Sequence, residues 1–148
     1  MIEQTFAIIK PGAVADKVTG KIISMIEDAG FDIVEMAKIE MTEDQAHELY
    51  AEHAEKPFFA GMVKNMTASP IIIMKLQKEN AIAAWRELMG ATNPANAAEG
   101  TIRKLYGRNI DHNATHGSDS AESAERELAL FFGDIDDIDE DEGCCGTC

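Results

Sequence analysis

The sequence predicts an α+β fold: an antiparallel sheet threaded βαββαβ, with helices packed on it and a long loop before the last strand. Three observations lead there. Short runs rich in apolar and β-branched residues, TFAIIK (5–10), FDIVEMAKIEM (31–41) and PIIIMKL (70–76), are bounded by Pro, Gly or polar turns. Between them apolar residues recur at helical spacing. With 148 residues and 45% apolar content, the chain can bury one core of ordinary size.

Taken in order, residues 5–10 form a buried strand stopped by Pro11-Gly12. Ile22, Ile23, Ile26 and Ala29 then mark one side of a helix closed by Gly30, because glycine accepts the left-handed backbone that ends helices. Residues 31–41 alternate loosely through Phe31, Ile33, Met36 and Ile39 and suit a second strand. Thr42 with Gln45 three residues on is a capping box, opening a helix with the face Ala46, Leu49, Tyr50 and His53. Pro57 sits at the first position of a further helix, whose stripe is Phe59, Met62, Val63 and Met66. Residues 70–76 are the third strand, and Asn80 caps the helix carrying Ile82, Trp85 and Met89, which Gly90 ends. From 91 to 113 the pattern lapses into a loop containing Asn93-Pro94 and Gly100. Residues 113–118 make a short last strand, and Asp119 with Glu122 caps a final helix ending near Phe132-Gly133. With the extra helices set aside the order is ferredoxin-like, helices being expected on one face of the sheet. So long a loop in a compact domain is either functional or a sign of missed structure.

The formal charge is -14, unevenly placed. Residues 134–148 hold seven of the 27 acids and no Lys or Arg, leaving the body with 20 acids against 13 bases. The reading is one domain over 1–133 and an acidic tail over 134–148, expected not to pack. A body of this sign repels nucleic-acid backbones and anionic membranes, so any bound anion needs a local positive cluster. All three cysteines, Cys144, Cys145 and Cys148, lie in the tail. Three thiols without a nearby histidine fall short of the four ligands of a closed zinc site; reduced solvated thiols are expected, with an intersubunit disulfide and adventitious metal binding as the alternatives. The N-terminus shows no secretory pattern, and the longest apolar run, IIIM (71–74), is far too short to span a bilayer. A soluble cytoplasmic protein is the expectation.

Chemistry concentrates in a few places. Three of the four arginines, Arg86, Arg103 and Arg108, fall between the Trp85 helix and the end of the long loop, which also holds Thr92. Guanidinium forks match phosphate oxygens, so a phosphorylated small molecule is a candidate ligand; solvated ion pairs are the bland alternative. Lys10 ends a buried strand where a turn begins. Among the histidines, His116 in NATHGSDS (113–120) has no apolar neighbour adjacent and is followed by glycine. It suits a nucleophile, a general base or a metal ligand. Glu127 breaks the face of Ala124, Leu128 and Phe131, so its carboxylate points inward and needs a partner; Ser118 or the imidazole would serve. Tyr50 shares the Leu49 stripe and reads as core. Phe58 lies off its helix stripe, leaving its ring free to cover something flat. No P-loop motif occurs anywhere.

NATHGSDS resembles the N-x-x-H-G-S-D-S signature of nucleoside diphosphate kinases, and the resemblance runs from Thr5 to about Gly133 through TFAIIKP, KPFFAGMV, GATNPANAAEGTIR and SAERELALFF. It implies that His116 takes the γ-phosphoryl group of a nucleoside triphosphate such as ATP and passes it to another diphosphate in ping-pong order. Glu127 and Ser118 would orient the imidazole. Lys10 and Asn113 would reach the ribose, with Lys10 and Tyr50 near the transferred group. Arg86 and Thr92 would hold the β-phosphate and Arg103 the terminal one, while Phe58 and Ile110 would sandwich the base. Mg²⁺ would arrive on the phosphates, and the partners would be nucleotides and further copies of the chain, as a tetramer or hexamer. A phosphohistidine relay to another protein keeps His116 but not the nucleotide set. Two departures stand out: the tail matches no family motif, and Lys-Pro-Gly (10–12) replaces Lys-Pro-Asp/Asn.

Overall fold

The structure, a computed structural model, describes residues 2–110 and 112–133; the acidic run and the cysteines lie outside the described residues. Strands β1 (Ile2–Ile9), β2 (Asp32–Ile39), β3 (Ile71–Glu79) and β4 (Thr115–Gly117) form one sheet in the order β2-β3-β1-β4. Every pairing is antiparallel. This is the ferredoxin-like order. Helices α1 (Pro11–Ala15) and α2 (Thr19–Asp28) follow β1; α3 (Glu43–Leu49) and α4 (Phe59–Thr67) join β2 to β3. Helices α5 (Ala81–Met89) and α6 (Ile102–Tyr106) precede β4, and α7 (Ala121–Phe132) comes last.

Helices cover both faces, not one. Ala7, Ile9, Ile72, Met74 and Leu76 meet Ile22 and Ile26 of α2 and Trp85 of α5 on one side. Phe6, Ile8, Ile71 and Ile73 meet Leu49 of α3, Val63 and Met66 of α4, and Phe131 of α7 on the other. The helices set aside in the sequence reading are thus the second layer. An unbroken apolar run such as FAII is the mark of a strand buried on both faces, since successive side chains point opposite ways. Phe6 to Ile9 are all 0% exposed, which puts β1 at the centre of the molecule. The one charged side chain buried in β3, Lys75, lies opposite Glu35 of β2 and reaches its Oε1 at 3.3 Å.

Local expectations fare unevenly. The Thr42–Gln45 capping box is formed in both directions, at 3.1 and 3.0 Å. Gly30 takes φ +93° after α2. Pro57 is not a helix start: α4 begins at Phe59, after a turn in which Lys56 N–H donates to His53. Asn80 occupies its cap position in the left-handed region, φ 53°, and its side chain caps nothing; Glu3 from β1 accepts from Ile82 N–H instead. Ser120, not Asp119, accepts from Ser123 N–H at the start of α7. The long loop is folded, with a 3₁₀ turn over Pro94–Asn96 and the short α6. Thr42→Ala should cost about 1 kcal/mol, the usual worth of such a cap, read as a lower urea midpoint at unchanged slope.

Candidate active site

His116 sits on β4, directly opposite Ile8 of β1. Its ring lies edge-on to Tyr50, centroids 5.9 Å apart, and to Phe6 at 6.3 Å. Nε2 is 3.2 Å from Glu127 Oε1, and Ser118 Oγ donates to the same oxygen at 2.8 Å. Glu127 is only 3% exposed, so the inward carboxyl inferred from the broken stripe of α7 has found its partners. An ionised carboxylate oxygen can only accept, which makes Nε2 the protonated nitrogen and leaves the Nδ1 lone pair available. Nδ1 bonds to nothing among the described residues. Arg126 approaches the other carboxylate oxygen at 3.7 Å.

The strand itself is held from behind. Trp85 Nε1 donates to the carbonyl of His116 at 3.2 Å. The indole lies so close to Gly117 that a Cβ there would fall 2.5 Å from its five-membered ring. Ahead of the histidine, Ala114 takes φ 76° while Thr115 N–H donates to the carbonyl of Asn113 at 2.9 Å, a γ-turn of the strained hand. The carbonyl of Ala114 accepts from Lys10 N–H at 2.8 Å, fastening the turn to the end of β1.

A cleft of about 670 Å³ opens over the imidazole, and Lys10, Tyr50, Arg86, Thr92, Arg103 and Asn113 all line it with His116 and Glu127. Lys10 Nζ donates to Asn113 Oδ1 at 2.8 Å, and Asn113 Nδ2 to the carbonyl of Thr92 at 3.0 Å. Arg103 is 8% exposed, its Nη1 donating to Gly90 and its Nη2 to Thr115 carbonyls at 3.0 and 2.9 Å, while its buried Nε has no partner. Burial, and then the charge of Arg86, lower its pKa to about 10, so it stays charged at neutral pH. Burial, with Glu127 adding to it, raises the Tyr50 pKa far above the usual range and keeps the phenol protonated.

A second cleft of about 610 Å³ adjoins the first across Lys10, Tyr50, Thr92 and Asn113. Phe58, 49% exposed, and Ile110, 55% exposed, both open onto it. The arginine cluster is therefore divided: Arg86 and Arg103 face the histidine, whereas Arg108 pairs with Asp16 in the neighbouring cleft. The sequence reading missed His53 and Asp119, which also line the histidine cleft. His53 looked like one more position on a helix face, yet its ring packs 5.9 Å from Phe58. Asp119 was assigned to capping; a hydrogen bond from Ser123 chiefly lowers its pKa, and the nearby Arg86 and His116 lower it further.

A cleft with two arginines and one oriented imidazole is what a phosphotransferase requires, and comparison with known proteins agrees. The sequence profile of the nucleoside diphosphate kinase family matches residues 3–136. The chain is 54% identical over 135 residues to the nucleoside diphosphate kinase of Geotalea uraniireducens, covering 91% of this chain and 98% of that one. It is 52% identical to that of Phenylobacterium zucineum, over 89% and 95% of the two chains. Among solved structures it resembles Aquifex aeolicus nucleoside diphosphate kinase (TM-score 0.88, 36% identity, 89% and 96% covered). The halophilic enzyme from Halobacterium salinarum, solved in complex with CDP, superposes as well (TM-score 0.88, 41% identity, 97% and 95% covered). The chain belongs to the nucleoside diphosphate kinase family, enzymes that transfer phosphate between nucleotides through a phosphohistidine.

Gly117→Ala should cost about 1–3 kcal/mol, as overpacking against Trp85 usually does. Because the tightest contact is with Trp85, with Met89 Cε next at 2.7 Å, a double-mutant cycle with Trp85→Phe in urea should show the two positions coupled rather than additive.

Proposed function

We propose that His116 is the phosphate carrier of this enzyme and that its Nδ1 is the attacking atom. The observation that carries the reading is the pairing of Nε2 with a buried Glu127, which leaves Nδ1 as the available lone pair in a cleft that Arg103, its buried Nε unpartnered, also lines. In the first half-reaction Nδ1 forms a bond to the γ-phosphorus of a nucleoside triphosphate as the bond to the bridging oxygen breaks. The diphosphate leaves with the electron pair. In the second, a terminal oxygen of another diphosphate attacks the phosphohistidine, and the N–P pair returns to Nδ1. Glu127, fixed by Ser118, offsets the positive charge the ring acquires while phosphorylated.

Phosphoryl transfer is mostly positioning and charge neutralisation. Arg86 and Thr92 are assigned to the β-phosphate and Arg103 to the group in flight. Lys10 and Asn113, already bonded to each other, are assigned to the ribose, with Lys10 and the protonated Tyr50 also beside the transferred group. Phe58 and Ile110 are assigned to the base. Stacking without a reader of base edges tolerates purines and pyrimidines alike, in keeping with the CDP bound by the Halobacterium salinarum enzyme. Among the described residues no group of three or more His, Cys, Asp or Glu is arranged to hold a metal. A donor set of guanidinium, amine and imidazole groups suits Mg²⁺ that comes already bound to phosphate oxygens, where it neutralises charge.

The working unit is further proposed to be a homo-oligomer, a tetramer or hexamer. β2 is an edge strand of the sheet, and Val34 and Met36 on it are 45% and 50% exposed. An open edge with apolar side chains is a template for pairing with a second copy. No helix among the described residues is long and apolar enough to cross a membrane, and a cytoplasmic site of action is proposed. Residues 1–133 are taken as the kinase domain and 134–148 as a separate acidic tail.

With γ-labelled ATP the protein should acquire an acid-labile, base-stable label that chases onto GDP, CDP or UDP. His116→Asn should show neither label nor turnover; a labelled His116→Asn protein would dismiss the assignment, and a label that moves only to another protein would favour a relay. Arg103→Ala should lower kcat by roughly 10²- to 10³-fold, the cost of losing one preorganised electrostatic donor. Met36→Glu should reduce the molecular mass measured by light scattering.

A further inference from the structure

The cleft onto which Phe58 and Ile110 open, about 610 Å³, has room for more than one base. Besides those two exposed side chains it is lined by Pro11 and Ala13 of α1 and Met66 of α4, all three of them buried. The void exists because the side chains around it are short. A Cβ built on Gly12 would meet nothing within 4 Å, and the exposed Ala68 and half-buried Ser69 add two more short side chains to the lining. Two polar groups of that lining, the Asn65 amide and the Ser69 hydroxyl, make no hydrogen bond to any described residue.

We propose that this chamber is an extension of the base site that admits nucleoside di- and triphosphates whose base carries an apolar arm. The inference rests on the nucleotide orientation proposed above. Phosphates over His116 and a ribose at Lys10 and Asn113 bring the base to Phe58 and Ile110, at the opening of the chamber. An aryl or alkyl substituent directed inward then replaces water against an alanine, methionine and proline surface, the kind of burial that drives ligand binding. Asn65 and Ser69 are placed to bond a hydroxyl or ether on the arm. An unsubstituted base leaves the chamber to water.

The test uses the full-length enzyme with GTP as donor and either ADP or N6-benzyl-ADP as acceptor, and reads the ratio of the two kcat/KM values. In the native enzyme the ratio should lie within about threefold of unity, as expected when a substituent finds its own pocket. Asn65→Phe and, separately, Ala68→Leu fill the chamber, and should turn the ratio against N6-benzyl-ADP by about tenfold or more, through KM rather than kcat. The proposal is overturned if the native enzyme rejects N6-benzyl-ADP, or if both variants treat the two acceptors alike, because the arm then points to solvent. Should neither acceptor be phosphorylated, the kinase reading has failed instead. Calorimetric binding of the two diphosphates to the native protein and the Asn65→Phe variant then decides on the chamber alone, by the same selective loss.

Discussion

Glu127 is a carboxyl group on a helix that faces a sheet of Phe and Ile, and such a group is tolerated only if its oxygens are bonded. The bonds it makes settle much else. Ser118 donates from the turn after β4 and His116 from the strand, so α7 and β4 are held in one register by a single oxygen, Oε1. That same oxygen fixes the tautomer of the imidazole. The orientation of the imidazole is therefore a consequence of how a buried polar atom is satisfied, and the sheet strand that carries it is kept in place by Trp85 from the opposite face. Histidine needs both restraints. A ring free to rotate would offer either nitrogen, whereas this one offers Nδ1.

The rest of the site holds free energy in reserve. Ala114 is kept at positive φ, a strain worth about 1–3 kcal/mol in general, by hydrogen bonds from Lys10 and Thr115 on either side. Arg103 gives up water for two backbone carbonyls and an empty Nε, and the depression of its pKa to about 10 is the sign of that cost. A phosphate oxygen would complete its shell. On the proposed assignment the desolvation incurred on folding would be offset when a phosphate binds, the sense in which a preorganised site favours the transition state over water. Tyr50, kept neutral by burial beside Glu127, adds a hydroxyl without adding a charge.

How much of this the sequence disclosed depends on how local the cause is. Glu127 was legible because a carboxylate interrupting a helical stripe has few innocent explanations, and Phe58 because its ring falls off the stripe of its neighbours. The capping box at Thr42 is written within four residues and formed as written. Asn80 and Pro57 misled for the converse reason: each is a good local signal overruled by a partner far away or by a preceding turn, Glu3 in the first case. The second helical layer was hidden because an apolar run says a strand is buried, and not which helices bury it. Asp119, spent on a capping motif, and His53, lost in a helix face, reach the cleft only through tertiary placement. Arg108 shows the same limit. Proximity in sequence grouped it with Arg86 and Arg103, and the fold sent it to Asp16.

The sign of the molecule also bears on what enters the cleft. Outside residues 134–148 the chain carries 20 acids against 13 bases, so the general field repels anions. Only close range reverses this, where Lys10, Arg86 and Arg103 line one cleft. On the proposed function, a nucleotide with Mg²⁺ on its phosphates would approach with part of its charge already cancelled and meet the guanidinium groups within a Debye length. A nucleic acid would present an uncancelled line of phosphates to the same acidic field, which opposes its approach. On the proposed function a small, metal-laden polyphosphate would be favoured by range as well as by shape, since the attraction is confined to the cleft while the acidic balance of the chain opposes a polymer backbone.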